Sequence, residues 1–198
     1  MNNKVLGTIG MVGAPFLGID FYLNGGGFGG EAYEHTSQTG LFCLIYMSAW
    51  MCSIWAFIRT NAAGTGKGRY VLLVQLIFLA IANASNVYEI ISPETASGSF
   101  LYNAMDIFWP ISNLFMMATG IAILNEGKLE FPKSWSPLFA GLWIPFSIAM
   151  YFVVGDKVHP IVAGLYSAIA WALMGYVVRT LPVRPRDREL TGARVNAG

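Results

Sequence analysis

The sequence predicts an all-α, polytopic integral membrane protein with six transmembrane helices and both termini in the cytoplasm, folded as one domain over residues 1–198. Three observations carry that expectation. Apolar residues make up 55% of the chain and charged residues only 12%, against roughly 25% charged in ordinary soluble domains. The apolar residues gather into six runs, each near the length of about 18 residues that spans a bilayer. Lys and Arg collect in alternate connecting segments, the mark of cytoplasmic loops. The mean hydropathy is +0.53 and the net charge +1. The charge argues against a nucleic-acid partner, which would require a basic surface, and the expected surroundings are the lipid bilayer of the cell (plasma or inner) membrane.

The first run, 5–23, has only Lys4 ahead of it and no small-residue cleavage pattern, so it reads as a span and not as a removed signal peptide. The second, 40–58, holds both cysteines. Nine residues at about 100° each put Cys43 and Cys52 on opposite helix faces. They cannot bridge each other, and they read as small buried hydrophobes. The third run, 70–91, and the fourth, 100–125, are joined by the short SPETASGS loop and should be antiparallel neighbours. The fifth run covers 136–154, with Trp135 at its interface, and the sixth covers 160–181. In the sixth, Ala168, Ala172 and Gly175 allow close helix contact, within the chain or with a partner. Tyr46, Trp50, Trp55, Trp143 and Trp171 divide between interfacial anchoring and packing.

Orientation follows from the connecting segments. Arg59, Lys67 and Arg69 lie after run 2, Lys128 and Lys133 after run 4, and Arg179, Arg184, Arg186, Arg188 and Arg194 at the basic tail. Loops 24–39 and 92–99 have no Lys or Arg, and 155–159 has only Lys157. The GTGKG at 64–68 is not a phosphate loop. It lacks the glycine five positions before the GK pair and the Ser or Thr after it, and no strand precedes it.

Runs 3 and 4 carry more polarity than lipid allows. Gln75, Asn83, Asn86 and Glu89 fall roughly on one face of run 3, and Asn103, Asp106 and Asn113 on one face of run 4. A carboxylate at the bilayer centre costs about 2.5–3.5 kcal/mol on the lenient insertion scale, so the two stripes should face each other or a shared interior. Interhelical hydrogen bonds there are worth about 0.6 kcal/mol each. The plain alternative is interhelical glue with the acids at the membrane interface. Glu89 suits it; Asp106, about 9–10 Å into its helix at 1.5 Å per residue, does not. Pro110 also removes the donor to the Asp106 carbonyl, as Pro15 and Pro145 do for Met11 and Gly141. Such carbonyls suit a neighbour, water or ligand.

On the non-cytoplasmic side the chain should form a cup lined by Asp20, Asn86, Glu89, Asp106 and His159, with Asn83, Asn103 and Asn113 along the seam and Trp109 as wall or packing. Glu31, Glu34 and His35 lie in the glycine-rich loop above it, which reads as a lid or a plain connector, and Asp156 lies at the same level.

Inward acids in broken helices are features of transporters and receptors for small ligands or ions. Runs 2 and 5 share too loose a pattern to claim an inverted repeat, and a full transport path from one 21.6 kDa chain would call for an oligomer. An enzyme acting on a lipid headgroup is a weaker reading: there is no HxxxH, HExxH or GxSxG, and two histidines fall short of a usual zinc site. A retinal Schiff base needs a lysine within a span, and Lys4, Lys67, Lys128, Lys133 and Lys157 all lie outside or at the edges. His35 and His159 do not suit an interior haem, and no metal or other cofactor is legible. A structural or regulatory subunit of a larger membrane complex is the remaining alternative. It predicts a filled seam where the ligand reading predicts a cavity.

Overall fold

A computed structural model describes residues 2–24, 35–96, 98–155 and 158–182. Helix α1 (Asn3–Gly13) and α2 (Phe16–Asn24) form the first span, and α3 (Ser37–Thr60) and α4 (Lys67–Ile91) the next two. A one-turn helix, α5 (Pro93–Ala96), leads into α6 (Phe100–Asp106) and α7 (Phe108–Glu126). Then come α8 (Ser136–Gly141), α9 (Trp143–Val154) and α10 (His159–Thr180). No strand occurs among the described residues. Among the described residues, five helical stretches are long and apolar enough to cross a membrane, and six if α8 and α9, bent by 55°, count as one. The glycine-rich loop with Glu31 and Glu34, expected as a lid or a plain connector, Asp156, and the arginines beyond residue 182 lie outside the described residues.

Local chemistry explains most of the boundaries. The hydroxyl of Thr36 accepts the Thr39 amide at 3.0 Å and starts α3; Ser99 does the same for Tyr102 at 3.3 Å and starts α6. Asn61 and Gly127 end α3 and α7 in left-handed conformations, with φ 52° and 66°. Three spans are broken, at Ala14–Pro15, Ile107 and Leu142, each break lying no more than three residues ahead of or at Pro15, Pro110 or Pro145.

The spans pack in a closed ring, each on its neighbour in sequence and α10 back onto α1 and α2. The α10–α1 seam is tight because it is built of glycine. A Cβ at Gly175 would stand 2.6 Å from the Met11 amide, so the backbones touch. Of the small residues expected to allow close contact, Gly175 makes it with α1. Leu6, Trp50, Ile54, Leu72, Leu79, Met116 and Met174 fill the interior. Large apolar side chains such as Val12, Ile77, Phe152 and Leu165 cover the exterior, as a lipid-facing surface requires.

Candidate functional site

Each helix brings one stripe to the bundle interior. On α4 that stripe is Leu72, Gln75, Leu79, Ala82, Asn86 and Glu89, at helical spacings of three and four. On the fourth span it is Tyr102, Asp106 and Trp109, which passes through the break at Ile107. The two stripes meet at the end of the bundle where α4 finishes and α3 and α6 begin. They enclose a cavity of about 220 Å³.

His35, the residue before the α3 cap, closes one side. Its Nδ1 lies 2.7 Å from Glu89 Oε1, and the Tyr102 hydroxyl donates to Glu89 Oε2 at 3.4 Å. Glu89 is almost completely buried, and His35 is its nearest polar partner. Asp106 lies one turn below Tyr102, beside the Ser85 hydroxyl and within the field of His35. Among the described residues no Lys or Arg pairs with Asp106 or Glu89. Asn86 donates its amide hydrogens to Met47 Sδ and Asn83 Oδ1, both at 3.0 Å.

Below the carboxylates the wall turns aromatic. Trp109 and Trp143 meet edge to face with centroids 5.4 Å apart, and Phe21 leans on Trp143 at 6.2 Å. Trp143 is locked by its Nε1–H, which donates to the Ala163 carbonyl at 2.9 Å. Tyr46 completes the lining and packs on Trp50 and Trp171. The Tyr46 and Ser167 hydroxyls face each other, yet neither makes a well-formed hydrogen bond, and the indole N–H groups of Trp50 and Trp171 likewise have no acceptor.

Of the residues expected at the site, Asn86, Glu89, Asp106 and Trp109 share the cavity. Asp20 is fully buried just behind it, accepting from Asn24 at 2.7 Å and lying 3.9 Å from Cys43 Sγ, which itself lines the wall. Cys43 therefore faces the cavity rather than acting as a mere core hydrophobe; both cysteines are free thiols. Asn83 turns to α3 and donates to Ser48 at 3.0 Å, one position off the buried stripe of α4. Asn113 is buried but folds back onto its own helix, donating to the Trp109 carbonyl. Asn103 is exposed. His159 corrects the expected cup: it is buried between α9 and α10 with Nε2 2.8 Å from the Ser147 hydroxyl, and it does not line the cavity.

His35, expected in the loop above the cup, also lines the cavity, as do Tyr46 and Trp143, expected as anchors or packing, and Tyr102, which carried no expectation. Tyr102 was findable, because it stands four residues before Asp106 and so one turn above it. No group of three or more His, Cys, Asp or Glu arranged to hold a metal ion occurs among the described residues. The chain matches no known protein family, no curated protein and no solved structure.

Proposed function

We propose that the protein binds a small ligand in this intramembrane cavity, reached from the non-cytoplasmic side, as the binding element of a transporter or receptor in the cell membrane. The observation that carries the reading is the placement of Asp106. Its carboxyl sits in the bundle interior, on the wall of a cavity, without a basic ion-pair partner among the described residues. Interior carboxylates in membrane proteins are rare and mark ligand or ion paths. A subunit serving only as scaffold would have little use for an open space bordered by two carboxylates. The Lys and Arg pattern supports placing the cavity mouth outside and both termini in the cytoplasm.

Cys43 is a native reporter for this reading. In a Cys52→Ala chain in intact cells, a small membrane-impermeant methanethiosulfonate should modify Cys43 from outside. A thiol that stays unmodified there, and also in detergent, would point to a closed interior and to the structural-subunit alternative.

A further inference from the structure

We infer that the ligand is a small organic ammonium: a primary or secondary amine on a compact apolar body. This rests on the reading that the cavity is a ligand site.

The cavity has a polar mouth and an aromatic floor. At the mouth the carboxylates of Glu89 and Asp106 share one imidazole, that of His35, and Asp20 lies close enough for its charge to be felt at Glu89. With its carboxylates ionised, the mouth holds more negative than positive charge among the described residues even when His35 is protonated. Hydrogen bonding has the same bias. Glu89 and Asp106 are acceptors, while the Asn86 N–H groups and the Tyr102 hydroxyl already have partners; the Tyr46 hydroxyl, lower on the wall, can either donate or accept. An ammonium brings one positive charge and two or three donors, which is the complement of that set. A carboxylate or phosphate would meet like charge.

The floor selects the rest of the molecule. Trp109, Trp143 and Tyr46 offer apolar surface and ring faces, which attract cations and bury hydrocarbon. The space of about 220 Å³ exceeds the ~150 Å³ that takes a benzene ring and falls short of the ~300–1,000 Å³ of drug-sized sites. That suits an aryl- or alkylamine of about ten heavy atoms. A bare inorganic cation would leave the aromatic floor unused.

The test measures how fast N-ethylmaleimide modifies Cys43 in the purified full chain carrying Cys52→Ala. Phenethylammonium, neutral 2-phenylethanol, anionic phenylacetate and sodium chloride serve as protectants. Phenethylammonium should protect at concentrations at least tenfold lower than the alcohol, with phenylacetate and sodium ineffective. Asp106→Asn, and separately Glu89→Gln, should cut that advantage below about threefold while Cys43 still reacts and the chain still melts cooperatively. Equal protection by amine and alcohol, protection by sodium alone, or none by the amine overturns the ammonium assignment and leaves the cavity reading standing. A Cys43 that does not react without any protectant removes the cavity reading as well.

Discussion

His35 Nδ1 and Glu89 Oε1 lie 2.7 Å apart across 54 residues of sequence, joining the chain just ahead of α3 to the last turn of α4. The contact holds the mouth of the cavity and gives a buried carboxyl its nearest polar partner. Its two halves are not equivalent. His35→Ala leaves Glu89 buried with only the Tyr102 hydroxyl, whereas Glu89→Gln removes the charge that needed a partner. The first variant should be the less stable by about 1–3 kcal/mol, read as the lower melting temperature of the two in the same detergent. Equal melting temperatures would mean that His35 contributes little to Glu89.

The floor depends on one indole. Trp143→Phe keeps most of the ring but deletes the N–H that donates to the Ala163 carbonyl at 2.9 Å. The loss should cost about 1 kcal/mol, the net worth of one buried hydrogen bond, since the Ala163 carbonyl keeps its own helical donor within α10. A thermal melt checks it, and Trp55→Phe, at a half-exposed indole, should change little.

Close approach of α1 and α10 predicts intolerance to a single methyl group. Gly175→Ala places a Cβ against the Met11 amide and should cost about 1–3 kcal/mol through overpacking. Gly98→Ala, where a Cβ meets nothing within 4 Å, is the matched control and should be near neutral. A stable Gly175→Ala protein would show that the seam can open.

Orientation is testable at two loops. In a chain lacking Cys43 and Cys52, Gly98→Cys should react with an impermeant maleimide on intact cells, and Gly127→Cys only after lysis. The reverse pattern would place the cavity mouth on the cytoplasmic side.

The ring of spans was legible because bilayer thickness imposes run length, and the six runs fall within a few residues of the observed helices. The interior position of Asp106 and Glu89 was legible for a similar reason, since hydrocarbon leaves a carboxylate few other places. Which neighbours each acid meets was not. Asn103 was assigned to the face of Asp106 on the assumption of a continuous helix, but the stripe that reaches the cavity runs through Tyr102 and Trp109. Asn83 differs from Asn86 by less than one turn and still faces another helix. His159 sat at the expected level, but the packing of α9 on α10 buries it against Ser147, a partner that spacing alone does not reveal.

The three interrupted spans have one thing in common: Leu17, Trp109 and Trp143, each within two residues of Pro15, Pro110 or Pro145, border the same void. Its walls are therefore set by the angle at each joint, while the glycine-lined seam is held backbone against backbone. Substituting any of those prolines would reshape the chamber without altering a single atom that touches its contents. Variation in what the chamber accepts could thus arise from residues that never meet the occupant.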